Sequence, residues 1–349
     1  MIKVLKNGIN YSGWKSLNVS RSLTNLCASF NLTSSVEYLQ NYPIKASDEI
    51  QIFINDTKFF TGYVEIIDKE ISAASNDISI SGRDKTSDLV DSTLEGNLTF
   101  SKGQGFSVIL KKMIDEIGSD IEIIENVNAG TTTEKIEVGV AENCLAKLRE
   151  IGMKKQIFFV SNEDGNIEII RGSSSGIPNI LLLEKDNIQS NIKNASVSWN
   201  LSTRFRNYVV KSQTNSSTEN KGIANDNDIR AGRKLTILAD SSLTIEECRN
   251  LAVFEKNNRK AMSFNYNCEV ADFTYDGTNI YELNKIIKVI DKVNDINAKL
   301  LISGLEFNVD NLNGLTTRFS LVDPLAYGIT FTEDARITAR TTKGSNYVD

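Results

Sequence analysis

The feature that most constrains the fold of this chain is a strict alternation of apolar and polar residues at positions 78–81. The segment reads ISIS, which is the two-residue period of a strand with one buried face. Further strand patterns of this kind occur at 49–54, 264–273 and 286–290. Their recurrence along the chain predicts a protein built mainly from β-strands.

A glycine and a run of charged residues follow the ISIS segment. Gly82 ends the alternation, and Arg83, Asp84, Lys85 and Asp88 come directly after it. Runs of charge more often form solvated faces or ion-paired corners than catalytic centres. We therefore interpret this group as a strand end whose corner is solvated or lies between subunits.

No catalytic, cofactor-binding or metal site is predicted. The chain contains no histidine, which excludes His-based triads and His metal ligands. No residue pattern places a nucleophile beside a base. The cysteines are far apart and lack metal-ligand spacing, so they are interpreted as buried free thiols: Cys27, Cys144, Cys248 and Cys268. We expect a protein that is not an enzyme and needs no cofactor.

The charge of the chain argues against sequence-specific DNA binding. Its net charge is -6 over 349 residues, whereas nucleic-acid readers are normally basic. An acidic wall would instead suit a conduit through which DNA passes, because like charge prevents phosphate binding. The sequence shows neither a signal peptide nor an apolar run of about 18 residues. We expect no membrane-spanning segment and folding in the cytoplasm.

Neither the tryptophans nor the basic residues predict a nucleic-acid surface. Trp14 and Trp199 lie in alternating segments and are interpreted as core anchors rather than stacking platforms. A small group of basic residues surrounds the polar loop predicted at 213–227. Contact with an acidic partner protein, or with solvent alone, is favoured for these residues over contact with nucleic acid. Its members are Arg204, Arg206, Arg230, Arg233 and Lys234.

The order of the predicted elements divides the chain into four parts. Residues 1–92 are predicted to form a small β-barrel or curled sandwich, and residues 93–185 an α+β module. Residues 186–330 return to strands, with an inserted helix and the polar loop, and residues 331–349 form a polar tail. A chain of 349 residues is longer than one core usually organises. The predicted fold class is therefore β-rich α+β with more than one domain.

The two β regions share an order of features: an alternating strand, a glycine, a second alternating strand and an aspartate. The glycine and aspartate are Gly62 and Asp84 in the first region, and Gly304 and Asp323 in the second. Because alternating strands recur in any β protein, this pattern leaves a duplicated barrel and two unrelated β regions equally open.

Several short motifs add a resemblance. In order, they are Gly13-Trp14, FFTGY at 59–63, GRDKTSDLVD at 82–91, a helix at 142–151 followed by a Gly-turn hairpin, LSTRF at 201–205, YVVKSQ at 208–213, LISG at 301–304 and LVDP at 321–324. This order resembles the baseplate hub proteins of phage Mu and its relatives over residues 1–328. The first motif departs slightly from the family's G-x-W, because Gly13 and Trp14 are adjacent here.

The resemblance implies a homotrimeric ring at the centre of a contractile-tail baseplate. Each chain would carry two similar tube-like β-barrels with the α+β module between them, so that three chains adapt a six-fold tail tube to a three-fold spike. The implied partners are the spike protein, the tail tube or tube-initiator protein and other baseplate proteins. DNA would cross the lumen without sequence-specific binding, in a virion tail baseplate assembled in the host cytoplasm.

The resemblance also directs attention to candidate interface and structural residues. They are Gly62, Gly82, Arg83, Asp84, Lys85, Asp88, Gly304 and Asp323. Two other functions stay open beside the phage hub. One is the hub of a type VI secretion or bacteriocin-like apparatus, and the other is a cell-wall-degrading baseplate enzyme, which the missing histidine and the lack of a paired catalytic motif disfavour.

Overall fold

The computed structural model describes residues 2–11, 13–35, 43–72, 76–132, 135–143, 145–146, 148–149, 152, 157–212, 220–239, 243–310 and 314–328. Cys144, the predicted tail at 331–349 and part of the predicted polar loop lie outside these ranges. Among the described helices, none is long and apolar enough to cross a membrane.

The N-terminal part forms seven strands. They are β1 (Ile2–Lys6), β2 (Ile9–Tyr11), β3 (Trp14–Ser22), β4 (Ser29–Ser35), β5 (Glu49–Ile54), β6 (Thr57–Ile71) and β7 (Asn76–Asp84). Strand β7 contains the alternating ISIS segment, and its buried residues are Ile78, Ile80, Gly82 and Asp84. The prediction of a strand with one buried face is therefore confirmed there. The prediction that Gly82 ends the alternation is wrong, because the strand and its buried face continue to Asp84.

The middle part contains short strands and two named helices. They are α1 (Ser87–Asp91), β8 (Leu98–Phe100), α2 (Phe106–Ile117), β9 (Ile123–Glu125), β10 (Ile136–Val138), β11 (Phe158–Ser161) and β12 (Ile167–Ile170). Helix α2 ends at Gly118, whose φ of 71° provides a left-handed C-cap. It buries Phe106, Ile109 and Met113 in a core that also contains Leu145. Helix α2 therefore lies within the range predicted for the α+β module.

The C-terminal part contains nine strands and one long helix. They are β13 (Gly176–Leu183), β14 (Ile192–Trp199), β15 (Asn207–Lys211), β16 (Lys221–Asn225), β17 (Lys234–Leu238), α3 (Ile245–Met262), β18 (Phe264–Ala271), β19 (Ile286–Asp291), β20 (Ile296–Asp310) and β21 (Gly314–Val322). A capping box begins α3, since Thr244 Oγ1 accepts from Glu247 N at 3.2 Å and the Glu247 carboxylate accepts from Thr244 N at 2.8 Å. Two 3₁₀ helices, Leu201–Thr203 and Pro324–Tyr327, complete the named elements.

Strand β16 lies inside the segment predicted as a polar loop. It pairs with β15, which also pairs with β17, in a three-stranded sheet that packs on α3. A Cβ on Gly222 of β16 would lie 2.1 Å from the backbone carbon of Cys248 in α3. The polar composition of this stretch hid the strand, because its two buried positions against the helix are a glycine and an alanine, Gly222 and Ala224, rather than large apolar side chains.

One large sheet joins strands from both ends of the chain. Its order is β14-β18-β21-β20-β3-β4-β7-β6-β5-β1-β2, with β19 pairing β20 and β13 pairing β19. Strand β13 lies in the range predicted for the α+β module but pairs with a strand of the last part. The fold is β-rich with few helices, as predicted, and no closed barrel is present among the described strands. The predicted domain boundaries stay predictions.

The two halves of this sheet have the same strand order. In the first half the order is β1-β5-β6-β7-β4-β3, and in the second it is β13-β19-β20-β21-β18-β14. If the edge strand β2, which has no counterpart, is left aside and the other strands are matched in chain order, the two orders are identical. The first pair alone differs in direction, since β1 and β5 are antiparallel whereas β13 and β19 are parallel. This agreement favours an internal duplication.

The matched strands also agree in detail. Strands β6 and β20 each have 15 residues, and β7 and β21 each have 9. Both long strands carry a bulge against their neighbour, between Val64 and Ile66 in β6 and between Ile302 and Gly304 in β20. When the bulges and buried faces are superposed, Gly304 corresponds to Ile66 and not to Gly62. The sequence pairing of Gly62 with Gly304 is therefore out of register.

The halves meet where β3 pairs with β20. The two strands are antiparallel, with Val19 opposite Phe307 and Leu17 opposite Val309. Beneath them, the rings of Phe59 and Phe307 meet edge to face, with centroids 4.7 Å apart. Burial of large apolar side chains at this junction provides most of its stability, and one core cluster spans both halves.

Candidate functional site

Gly62 and Gly82 lie where β6 and β7 approach most closely. Gly62 is opposite Asp84, and Gly82 is opposite Val64. A Cβ on Gly62 would lie 2.3 Å from the Arg83 carbonyl oxygen, and a Cβ on Gly82 would lie 1.9 Å from the Tyr63 carbonyl oxygen. Neither position has room for a side chain. Both glycines are needed by strand packing within the chain.

Arg83 is held by two carboxylates of its own chain. Its guanidinium donates to Glu65, with Nε–Oε2 at 2.9 Å and Nη2–Oε1 at 2.8 Å. It also donates from Nη1 to Asp91 Oδ1 at 3.1 Å. These bonds raise the pKa of Arg83 above its usual value and lower the pKa of Asp91. The three side chains form a partly exposed ion-paired corner.

Asp84 is fully buried and acts as a hydrogen-bond acceptor for two loops. Its Oδ2 accepts from the Ala28 amide at 2.7 Å, and its Oδ1 accepts from the Thr86 amide at 3.0 Å and the Thr86 hydroxyl at 2.5 Å. Ser161 of β11 also hydrogen-bonds to it. Burial is the largest influence on this carboxyl and raises its pKa. Asp84 therefore ties the end of β7 to β4 and to the middle part.

Lys85 and Asp88 face the middle part of the same chain. Lys85 Nζ lies 3.9 Å from Asp120 Oδ2, and the exposed Asp88 accepts from Ser119 Oγ at 3.3 Å. The structure thus brings together Gly62, Gly82, Arg83 and Asp84 at one strand end, with Lys85 and Asp88 beside it. The partners named here all belong to the same chain, and a role between subunits stays a prediction.

Gly304 and Asp323 lie in the second half of the large sheet. Gly304 follows the bulge of β20 and lies opposite both Ser22 and Ser320. Asp323 directly follows β21 and caps the 3₁₀ helix Pro324–Tyr327, with its Oδ1 accepting from Leu325 N at 2.9 Å. Asp323 therefore occupies the position that Asp84 has in the first half.

The large sheet has a polar face that sequence reasoning did not identify as one surface. Small and amide side chains such as Asn18, Ser20, Asn31 and Ser79 alternate with the core residues, and Asn18 Nδ2 donates to Asn308 Oδ1 at 2.5 Å across the junction. The acidic residues of this face are Asp68, Glu70, Asp77, Glu269 and Glu306; the basic residues pairing with them are Lys15 and Arg318. The alternation was visible in each strand, but the pairing of β3 with β20 was not.

Three arginines of the basic group donate hydrogen bonds to groups of the same chain. Arg204 is buried and donates to Asp226 Oδ2 from Nη2 at 2.7 Å. Arg206 donates to the Asn227 carbonyl at 2.7 Å, and Arg233 Nε donates to the Arg204 carbonyl at 2.7 Å. These contacts fasten the β15–β17 sheet, so the interpretation of these three arginines as solvated or partner-binding charge is wrong. The paired aspartate of Arg204 lies 22 residues away, at the end of a segment read as a loop.

Trp199 differs from its interpretation as a core anchor. Its side chain is 51% exposed, and its ring contacts Phe264 at a centroid distance of 6.0 Å. The reason is its place at the end of β14, which is the last strand in the path of the large sheet. Trp14, by contrast, is partly buried against the main core.

No group of three or more metal-ligating side chains occurs among the residues that the structure describes. The described cysteines are free thiols: Cys248 and Cys268 are buried and Cys27 is partly exposed. Burial raises the pKa of the Cys27 thiol to about 11. The surface with the most distinctive organisation is therefore the sheet, with its ion-paired corner and its polar face.

Comparisons with known proteins agree with the order of motifs. Residues 1–84 match the family described as Mu phage baseplate assembly protein GpP-like, N-terminal. The baseplate hub protein gp44 of Escherichia phage Mu is 22% identical over 334 residues, which cover 90% of this chain and 86% of the phage protein. These relatives are named as baseplate proteins and not as enzymes, in agreement with the prediction that this chain is not an enzyme.

Two solved structures share the fold. The 43 kDa tail protein of prophage MuSo2 from Shewanella oneidensis superposes with a TM-score of 0.81 at 24% identity, covering 93% of this chain and 99% of that one. The E. coli c3393 protein, described as a component of the type VI secretion system with structural similarity to the T4 tail proteins gp27 and gp5, has a TM-score of 0.58 at 11% identity and covers 95% and 78%. The predicted resemblance is confirmed: residues 1–84 match the N-terminal family model of the GpP-like Mu baseplate assembly proteins, and the chain is similar along nearly its whole length to a phage Mu baseplate hub protein.

Proposed function

We propose that this chain is the central hub of a phage contractile-tail baseplate, in which three copies form a ring between the tail tube and the spike. The observation that carries the proposal is the repeated strand order of the large sheet. Two similar units in each chain give six similar units in a trimer. Such a ring presents near-six-fold symmetry to the tube and three-fold symmetry to the spike.

The polar face of the large sheet supports a role as a conduit. It carries hydroxyl, amide and acidic side chains, and Asp68 and Glu70 are exposed. A lumen lined by these acidic residues would repel phosphate, because like charges repel. In this proposal the opposite face forms the core of two tube-like barrels, and the ion-paired corner around Arg83 lies at one end of the ring.

The ring is tested by the solution mass of the full-length protein. A trimer of 38.7 kDa chains has a mass of about 116 kDa, and light scattering across a hundredfold range of concentration should give that value. Mixing with the neighbouring spike protein should then give a complex with three hub chains. A monomer that stays monomeric with the spike protein present would refute the proposal.

A hub of a secretion apparatus is the second candidate, because the fold is shared with the type VI secretion component. The two functions differ in their partners. A phage hub should co-purify with tail tube and baseplate proteins from particles that contain DNA. A secretion hub should co-purify with a spike from cells that make no such particles.

A further inference from the structure

We propose that an apolar pocket between the middle part, α3 and the C-terminal 3₁₀ helix binds segment 329–333 of the same chain. Phe331 enters the pocket, and the Glu333 carboxylate pairs with Arg149 beside it. The residues that line this apolar pocket include Leu23, Ile157, Phe158, Phe159, Met262 and Tyr327. The inference concerns the fold of one chain and goes beyond the proposed ring.

The first step is the shape of the apolar pocket. It is a cavity of about 260 Å³. Leu23, Ile157, Phe159 and Tyr327 are each at most 4% exposed, whereas Met262 is 43% exposed. The cavity thus has a buried apolar floor and opens to solvent beside a methionine. An apolar side chain that entered it would leave water and extend the core cluster to which Leu23 and Tyr327 belong.

The second step is the charge beside the pocket. Arg149 also lines the cavity, and its half-buried guanidinium donates to the Thr24 carbonyl. Burial lowers the pKa of this arginine. Within the described part of the chain, no carboxylate forms an ion pair with it. Because a half-buried charge without a counter-ion is unfavourable, the pocket suits an apolar group with a carboxylate close to it.

The third step is the place where the described chain ends. Gly328 caps the 3₁₀ helix with a left-handed φ of 75°, which turns the following backbone away from the helix axis. Tyr327, one residue earlier, lines the pocket. Phe331 follows four residues after Tyr327, so an extended chain places it within about 13–14 Å of the pocket wall. A segment tethered so closely has an effective concentration on the order of millimolar, which favours it over an unattached peptide.

The fourth step is the sequence of the segment itself, which reads ITFTE. In an extended chain Ile329, Phe331 and Glu333 face one side, and the two threonines between them face the other. One side of the segment therefore carries two apolar groups followed by a carboxylate. This is the order of groups that the apolar floor and the neighbouring guanidinium of Arg149 require.

The fifth step is what such a contact does to the fold. The walls of the pocket come from three parts of the chain: Leu23 follows β3, Ile157 precedes β11, and Met262 ends α3. A side chain bound between them would contact all three parts at once. Segment 329–333 would therefore hold the middle part and α3 against the end of the large sheet.

The test is photocrosslinking in the full-length chain. Phe331 is replaced by its photoreactive azide analogue, and mass spectrometry locates the crosslinks after irradiation. We expect them at Met262 and at the two phenylalanines of β11. The matched control carries the same analogue at Tyr347, a more distant aromatic position, and should give no crosslinks concentrated at the pocket. An equal mixture of unlabelled and nitrogen-15-labelled chains distinguishes crosslinks within one chain from those between chains.

Two neighbouring acidic residues test the contact with Arg149. Glu333→Gln should lower the crosslinking yield at the pocket about two- to fivefold, as expected for a partly exposed ion pair. Arg149→Gln should lower it by the same factor, and the two substitutions together should lower it no further, because both remove one interaction. Asp334→Asn removes the same charge from the next residue, which faces the other side of an extended segment, and should leave the yield unchanged.

Each alternative result identifies which part of the proposal fails. Crosslinks between labelled and unlabelled chains would overturn binding within one chain and assign the pocket to a segment of a neighbouring copy. The same crosslink pattern from positions 331 and 347 would overturn the binding of Phe331 in the pocket. Equal yields for Glu333→Gln and Asp334→Asn would overturn the ion pair with Arg149. None of these results bears on the ring, which the solution mass tests separately.

Discussion

Asp84 and Asp323 are equivalent residues in the two halves of the large sheet. Each follows the last core residue of a matched strand, and each accepts a hydrogen bond from the amide two residues later, at 3.0 Å from Thr86 N and 2.9 Å from Leu325 N. They differ in burial, because Asp84 is fully buried and Asp323 is partly exposed. The same local turn thus contains a buried hydrogen-bond acceptor, Asp84, in the first half and a partly exposed helix cap, Asp323, in the second.

This difference predicts unequal costs for the two alanine substitutions. Asp84→Ala leaves the buried Ala28 and Thr86 amides without their acceptor, so we expect a loss of about 2–4 kcal/mol in the free energy of unfolding. Asp323→Ala removes a partly exposed cap of the 3₁₀ helix and should cost about 0.5–1.5 kcal/mol. Chemical denaturation of both variants measures the difference. Equal losses would contradict the prediction that the buried hydrogen bonds accepted by Asp84 contribute more to stability than the cap formed by Asp323.

The raised pKa of Asp84 predicts a pH dependence of opposite sign to that of ordinary paired carboxylates. The folded chain holds a proton on Asp84 at pH values where the unfolded chain has released it. Stability due to this group is therefore present at low pH and is lost as pH rises from the unfolded value through the raised folded value. Asp91, whose pKa Arg83 lowers, acts in the other direction. The measurement is the free energy of unfolding of wild type minus that of Asp84→Asn against pH, which should fall with rising pH; a flat or rising difference would contradict the assignment.

Two glycines provide a matched test of strand packing. Gly82→Ala would place a Cβ 1.9 Å from the Tyr63 carbonyl oxygen, so β6 and β7 must separate, at a cost of about 3 kcal/mol. Gly304→Ala would meet Ser320 Cβ at 3.1 Å, and a small shift should limit its cost to about 1 kcal/mol. Thermal unfolding distinguishes the two. Similar melting temperatures for both variants would mean that the β6–β7 approach is looser than described.

Arg83 should contribute less to stability than its number of hydrogen bonds suggests. The side chains of Arg83, Glu65 and Asp91 are all partly exposed, and exposed ion pairs contribute about 0–1 kcal/mol. We expect Arg83→Ala to lower the free energy of unfolding by about 1 kcal/mol or less, with the difference shrinking in 1 M salt. A larger loss of trimer than of monomer stability in this variant would instead place the corner between subunits.

Features of the fold that depend on neighbouring residues could be predicted from the sequence, whereas contacts between residues far apart in the chain could not. Alternation at 78–81 predicts a strand with one buried face, because its period is local. The roles of Asp84 and Arg204 could not be predicted, since a buried carboxylate or guanidinium is recognised only when its distant partners, Ser161 and Asp226, are known. The β3–β20 junction was hidden for the same reason, as Asn18 and Asn308 are 290 positions apart. The order of the motifs predicted the family resemblance although no single motif did, because proteins with the same topology have their elements in the same order along the chain.

The polar face predicts how the proposed ring treats DNA. Wild-type protein should show no measurable binding to double-stranded DNA at physiological salt, because the net charge of the chain is -6 and the acidic side chains of this face repel phosphate. Replacing Asp68 and Glu306 by lysine changes the charge of the proposed lumen by +4 per chain, and we expect binding whose logarithm falls steeply with the logarithm of salt concentration. The matched control reverses two exposed acidic residues elsewhere, Glu95 and Glu116, with the same change in net charge. Light scattering verifies that both variants keep the wild-type mass. If the control binds DNA as strongly as the lumen variant, net charge and not the polar face determines binding, and the conduit would have to lie on another surface.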